Sequence, residues 1–485
     1  MRLTTLAAAT LLATLAGCAA TPPAATQTAT TTQNTNAVDQ RAKNIIFFLG
    51  DGMGINTLTA ARIYAVGEDG ELALDKMPES AFVKTFSNDA QVTDSAASMA
   101  AYMTGVKHNN GVISMSAGTR AIAPVADANG NKLVGRCQGD QGGQATVTLL
   151  ELAKRRGMAV GVVTNTNVTD ATPASTYAHV CHRKMENDIA ASLVPGGAGY
   201  NAALGARGLD VLFGGGAQFF TPFANGGKRT DNRDLLAEFG SKGFRVIKDT
   251  AGLDALKPGQ PAVGLFAASH MAFDAERDAA RQPALDAMTR KAIELLAPNP
   301  NGFFLMVEGG LIDHALHATL GKRALQETVG YNAALQAAID RMNQLDPGLK
   351  NTLIVATADH DHTLLLNGYA ARTGKTTPTN PGVIGLVRNA DGTPSLDGKG
   401  MPYTIIGFGT GENRQGERAA KGALTDAIVT ADDYHQEAVV RTNKGAETHG
   451  GSDVFLGATG ANAELFRGTI DNTRVFNLIK TAGGL

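Results

Sequence analysis

The chain has 485 residues, enough for roughly three domains of about 150 residues or for one large α/β unit. It is 43% hydrophobic and 18% charged, so it can bury a sizeable core and is not a disordered protein. Its 43 Lys and Arg against 45 Asp and Glu leave a formal net charge of -2, and it has no Trp, which argues against a bulk-charge or base-stacking nucleic-acid binder.

Residues 1–17 read as an export signal. Arg2 is a minimal positive region, Leu3 to Leu15 form a Leu- and Ala-rich apolar h-region with interspersed Thr, and the run is shorter than the roughly 18 residues that span a bilayer. Leu15-Ala16-Gly17-Cys18 resembles the lipobox of bacterial lipoproteins. That resemblance implies acylation of Cys18, a lipid anchor, and a periplasmic or outer-membrane location; Ala19 after the Cys favours the outer membrane. An ordinary signal with an incidental Cys is the alternative. Residues 18–40 are mostly Ala, Thr, Pro, Gln and Asn and read as a flexible tether. Beyond them only Cys137 and Cys181 remain, a candidate disulfide in an exported chain, with two free buried thiols as the alternative.

The ordered part starts near residue 41. Asn44 to Leu49 is a continuous apolar run ending in Gly, as expected of a strand buried on both faces. Ala159 to Val163, Val211 to Phe213, Phe303 to Val307 and Thr352 to Ala356 repeat it. Helical patterns cover Thr146 to Arg156, Pro283 to Leu296 and Gln326 to Gln344. The alternation predicts a doubly wound, mostly parallel sheet with helices on both faces. Insertions are expected at about 114–143, polar and turn-rich, and at about 364–446, long enough to form a small subdomain.

Acidic residues or His follow four of these runs: Asp51; Asp170 and Thr172; Glu308 with Asp313, His314 and His317; and Asp359-His360 with His362. Ligands in open α/β sheets bind outside the carboxyl ends of the strands, so these side chains are expected at one edge. Any one of them alone reads as a cap or turn residue; four together do not. Asp313 and His317 are i, i+4 and can share one metal on one helix face. Oxygen and nitrogen donors without thiolate suit catalytic zinc, and Asp51 has the charge to bridge two metals. Asp170, Thr172 and Glu308 are hard oxygen ligands suited to magnesium. His449, in Glu447-Thr448-His449-Gly450-Gly451, could join Asp313 and His317. From Ser95 a run of helix formers stops at Gly105, placing Ser95 in a first turn as a candidate nucleophile. Asp94 or Ser95 acting only as an N-cap is the competing reading.

Taken together, these motifs resemble the alkaline phosphatases from about Lys43 to Leu485: Gly-Asp-Gly-Met-Gly, Thr-Asp-Ser-Ala-Ala-Ser, Asp-Ala-Thr-Pro-Ala, Thr-Ala-Asp-His-Asp-His and Glu-Thr-His-Gly-Gly, in that order. The resemblance implies that family's fold with a crown-type insertion. It implies hydrolysis of phosphate monoesters at alkaline pH through a phosphoserine at Ser95, with Arg183 binding phosphate. It implies two Zn2+, one on Asp313, His317 and His449 and one on Asp51, Asp359 and His360, and one Mg2+ on Asp51, Asp170, Thr172 and Glu308. His362 is expected behind the ligands, a Cys137–Cys181 disulfide would brace the Arg183 segment, and homodimers are usual in the family.

One position departs from the common bacterial pattern. His314 stands where many bacterial members have Lys, while Asp170 stays Asp where animal members have His. A neutral imidazole at alkaline pH is expected to hold phosphate less tightly than an ammonium. A phosphodiesterase or sulfatase of the same superfamily is the nearest alternative, and a non-catalytic phosphate-binding lipoprotein a remote one. A dinucleotide-binding reading of Gly50, Gly52 and Gly54 fails because Ile55 stands where the third fingerprint Gly belongs.

Overall fold

The five apolar runs are the contiguous centre of a ten-stranded sheet. The computed structural model describes residues 41–485 except 129, 131–142, 413–421 and 443–445. The expected signal, tether and Cys18, and also Cys137, lie outside the described residues. In chain order the strands are β1 (Asn44–Gly50), β2 (Glu79–Lys84), β3 (Ala159–Asn167), β4 (Val211–Gly215), β5 (Arg245–Ile247), β6 (Ala262–Leu265), β7 (Phe303–Gly309) and β8 (Thr352–Ala358). They continue with β9 (Asp361–His362), β10 (Leu364–Leu366), β11 (Ile406–Gly411), β12 (Ala438–Arg441), β13 (His449–Gly450), β14 (Val454–Gly460) and β15 (Gly468–Asp471). The large sheet runs β15-β2-β14-β8-β1-β7-β3-β4-β6-β5.

The apolar-run reading stops short of the sheet's flanks. β2 alternates exposed and buried residues, so its apolar residues never form a run. β5 and β6 are three and four residues long. β14 pairs antiparallel with both β2 and β8, which makes the sheet mixed. The other pairings within it are parallel.

The helices sort by contact into two sets. Ile55–Val66, Leu285–Leu296 and Leu311–His317 all pack on the long Gly321–Leu345 helix. Leu149–Arg155, Ala171–Ala174 and Asn472–Gly483 pack around Ser95–Thr104. Helix starts differ from the sequence reading for identifiable reasons. The first begins at Leu149, not Thr146, because Thr148 is its N-cap: its hydroxyl accepts from Glu151 N while the Glu151 carboxylate accepts from Thr148 N. The second begins at Leu285, after Pro283. The third begins at Gly321, five residues before Gln326, and Gly321 serves close approach there, since a Cβ would lie 3.0 Å from Gln436 Cγ.

The 364–446 region contains a small sheet, β10-β11-β12. The start of the 114–143 region is tied down by isolated bridges of Ile113 to Val180 and Met115 to Ala145.

Thr148 is fully buried, and its hydroxyl also donates to Thr176 O at 2.6 Å. Thr148→Ala is expected to lower unfolding stability by about 0.5–2 kcal/mol, with Thr148→Ser retaining most of it. Urea midpoints measure this; an unchanged midpoint for the Ala variant overturns the capping argument.

Candidate metal centre

Strand register assembles the site. Gly50 pairs with Gly309 on one side and Ala358 on the other, so Asp51 and Asp359 leave the sheet side by side. Leu49 and Thr164 both pair with Glu308, which sets the Thr164 hydroxyl on the Glu308 carboxylate, with Thr166 Oγ1 also donating at 3.2 Å. Asp313, His314 and His317 ride on the Leu311–His317 helix that follows β7. His449 arrives from far along the chain through the β9–β13 ladder, opposite His362.

Three imidazoles are oriented alike. His317 Nδ1 bonds Glu447 O at 2.8 Å, His449 Nδ1 bonds Thr93 O at 2.8 Å, and His360 Nδ1 bonds Asp361 O at 3.2 Å. A carbonyl accepts only, so each Nδ1 carries the proton and each Nε2 keeps a free lone pair. Those lone pairs converge with carboxylates in two groups. Around Asp313 Oδ1, His317 Nε2 lies at 3.3 Å and His449 Nε2 at 3.5 Å, with the two Nε2 atoms 3.1 Å apart. Around His360 Nε2, Asp51 Oδ1 and Asp359 Oδ2 each lie at 3.3 Å. Tetrahedral zinc with ligands at about 2.0–2.1 Å spaces its donors about 3.3–3.4 Å apart, so both groups fit such an ion. Among the described residues, Asp359 Oδ2 and Thr172 Oγ1 are buried without a hydrogen-bond partner, which fits them to a cation.

The electrostatics point the same way. Burial, then the charges of Asp359, Asp313 and Glu308, hold Asp51 well above the usual carboxylate range. Burial raises Glu308 to about 8 against the Thr164 hydroxyl, with Asp170 and Asp359 adding to the rise. Burial and Asp313 raise Asp359 to about 6 against the Gly52 N–H. Asp170 goes the other way: burial is overcome by Arg183, then His270 and His314, and it falls to about 2. Buried carboxylates with raised proton affinity are a demand for cations.

Ser95 is the first residue of its helix, buried, with Oγ 3.3 Å from His360 Nε2 and 3.5 Å from Asp51 Oδ1. Asp94, not Ser95, is the N-cap: Oδ1 accepts from Ala97 N at 3.0 Å, and Oδ2 accepts from Gly111 N and from Arg183 Nη1, the latter at 3.2 Å. Arg183 Nη2 reaches Asp170 Oδ1 at 3.2 Å, so two carboxylates aim the guanidinium fork. Cys181, two residues earlier, is disulfide-bonded.

Comparison with known proteins decides what these features belong to. The alkaline phosphatase family profile matches residues 42–485. The chain belongs to the alkaline phosphatase family. It is 34% identical over 464 residues to the rat tissue-nonspecific alkaline phosphatase isozyme, covering 90% of this chain and 82% of that protein. It is 35% identical to the alkaline phosphatase of Gadus morhua, covering 88% and 89%. The Thermus thermophilus alkaline phosphatase structure matches with a TM-score of 0.65 and 26% identity over 92% of each chain. That of the Antarctic bacterium TAB5 matches in fold, with a TM-score of 0.63 at 22% identity over 92% of this chain and 99% of that one. As a member of the alkaline phosphatase family, the chain is a metal-binding hydrolase of phosphate monoesters.

Sequence reasoning left two alkaline phosphatase site residues without a role. Glu447 is fully enclosed: its carboxylate holds His362 Nδ1 and accepts from Thr363 N at 2.6 Å, while His362 Nε2 bonds Asp313 Oδ1 at 2.8 Å. His362 bridges Glu447 and Asp313; burial opposes its charge, but these two carboxylates carry it up to about 10. His270 packs edge-on to His314 at 4.3 Å, beside Asp170. His314 faces this pair. Glu447 was visible in the Glu-Thr-His-Gly-Gly motif; His270 carried no signal. Among the described residues, no helix is long and apolar enough to cross a membrane.

The metal-free chain holds protons on Glu308 and Asp359 that the unfolded chain releases near pH 4. That contribution to stability is present below about pH 4 and is lost as pH rises through about 6 and 8. Chelator-stripped protein is therefore expected to lose thermal stability between about pH 4 and pH 8, and metal-loaded protein to be spared. Parallel pH profiles in differential scanning calorimetry would overturn this.

Proposed function

We propose that the chain hydrolyses phosphate monoesters at alkaline pH through a phosphoserine on Ser95. One zinc would be held by Asp313, His317 and His449, a second by Asp51, Asp359 and His360, and a magnesium by Asp51, Asp170, Thr172 and Glu308. The observation that carries this reading is Ser95 Oγ, at a helix N-terminus, within 3.5 Å of His360 Nε2 and Asp51 Oδ1. When bound, the metals supply positive charge that favours ionised serine and stabilises the departing oxygen.

The chain's own residues do the rest. Arg183, aimed by Asp94 and Asp170, is placed to hold two non-bridging phosphate oxygens. Ser95 Oγ forms the new bond to phosphorus as the ester oxygen leaves as alcohol. Water then cleaves the phosphoserine, returning the serine hydroxyl and inorganic phosphate. Free N–H groups at the start of the Ser95–Thr104 helix favour the anion throughout. Ser95 with Arg183 favours monoesters over the phosphodiester and sulfate substrates of the wider superfamily.

The same reading extends outside the site. It takes residues 1–17 as a lipoprotein signal, Cys18 as a lipid anchor holding the enzyme in the periplasm or at the outer membrane, and 41–485 as the catalytic domain. It takes 364–446 as the crown-type insertion, Cys137 as the partner of Cys181, and the assembly as a homodimer.

Ser95→Ala is expected to abolish acid-stable phosphate labelling and to cut p-nitrophenyl phosphate turnover by about 10³-fold or more. Retained labelling or full activity defeats the assignment, and faster turnover of the diester or sulfate analogue defeats the monoester reading. His314→Lys is expected to tighten phosphate inhibition by at least about twofold, through added charge beside Asp170; unchanged or weaker inhibition overturns that role for His314.

A further inference from the structure

The Leu311–His317 helix carries Asp313, His314 and His317, yet it begins without a cap of its own. Its N-cap is Gly310, which has no side chain to offer the first N–H groups. Asn165 on β3 supplies what is missing. Its Oδ1 accepts from Gly310 N at 2.8 Å and from Leu311 N at 3.2 Å. Its other end, Nδ2, donates to Glu327 Oε2 at 3.1 Å, and Glu327 Oε1 accepts from Asp274 N at 2.6 Å. Asn165 and Glu327 are both buried, 9% and 4% exposed, so neither has much water to fall back on.

The chemistry allows only one arrangement. Turning the Asn165 amide over would set its NH2 against two N–H donors and its oxygen against a carboxylate. Replacing Asn165 with Asp keeps the acceptor for the helix but faces Glu327 with a second carboxylate. The donor spacings of 3.1–3.5 Å among Asp313, His317 and His449 match zinc closely, so a small slide of this helix spoils one donor group and leaves Asp51, Asp359 and His360, on other elements, in place.

We propose that Asn165 and Glu327 are positioning residues: together they cap the Leu311–His317 helix from outside and fix where Asp313 and His317 meet His449. This rests on the reading above that those three residues hold zinc. It adds that affinity at that one site is set by two side chains which touch neither metal nor substrate.

The test is a reciprocal exchange read by zinc content. Wild type, N165D and the double variant N165D/E327Q are loaded with zinc and titrated with a chromogenic chelator. In the double variant the introduced carboxylate would accept from the helix and from the introduced amide NH2, and the oxygen of that amide would still accept from Asp274 N. Wild type is expected to hold two zincs tightly. N165D is expected to weaken one of the two by about 10- to 100-fold and spare the other, and N165D/E327Q to regain two tight zincs. The proposal is overturned if N165D holds both zincs as wild type does, loses both equally, or is not improved by E327Q. If N165D fails to fold, the double variant decides: two tight zincs support the pairing, anything less overturns it. Wild type that never loads two zincs defeats the zinc reading and this proposal together, whereas a variant series that stays flat around a two-zinc wild type defeats this proposal alone.

Discussion

Mutual repulsion among buried carboxylates is the constraint on which this molecule turns. Asp51, Glu308, Asp313 and Asp359 all lie within a few side-chain lengths at the carboxyl edge of three adjacent strands, each 7% exposed or less. No hydrophobic gain offsets such a cluster by itself; it persists because cations are due there. The surroundings are arranged accordingly. Imidazole protons are turned outward onto backbone carbonyls, leaving lone pairs inward. The acids that ionise easily despite burial do so against bases: Asp313 against His317, His362 and His449, and Asp170 against Arg183.

The sequence was most legible where burial is most complete. The five runs read as strands are β8, β1, β7, β3 and β4, which lie next to one another in the sheet. Both faces of a central strand are covered, so its sequence is apolar throughout and announces itself. A flanking strand such as β2 is half exposed and alternates, and β14 runs against its neighbours, a direction no local pattern encodes. The candidate metal ligands were legible for a related reason: most hang directly on the ends of those central strands or on the next helix.

What escaped notice depends on contacts between distant parts of the chain. Glu447 acts through His362, 85 positions away in sequence, and Asn165 through a helix that starts 146 positions later. One clue was present. β3 continues beyond its apolar run through Thr164-Asn165-Thr166-Asn167, four polar residues that are all buried. Consecutive polar side chains inside a central strand must each find a partner. Thr164 and Thr166 find theirs in Glu308, and Asn165 in the helix behind it.

The short β9–β13 ladder has an evolutionary meaning. Residues 363–448 leave the metal centre at Asp361–His362 and return to it at His449–Gly450, so the whole excursion is a loop whose two ends are pinned together. Lengthening a closed loop adds little, about 0.6 kcal/mol for each doubling. The segment can therefore be elaborated, trimmed or given new surface chemistry by drift while His449 stays in register. Change can then fall to the middle of the excursion, while its ends, where Glu447 holds His362 and Thr363, keep His449 in place.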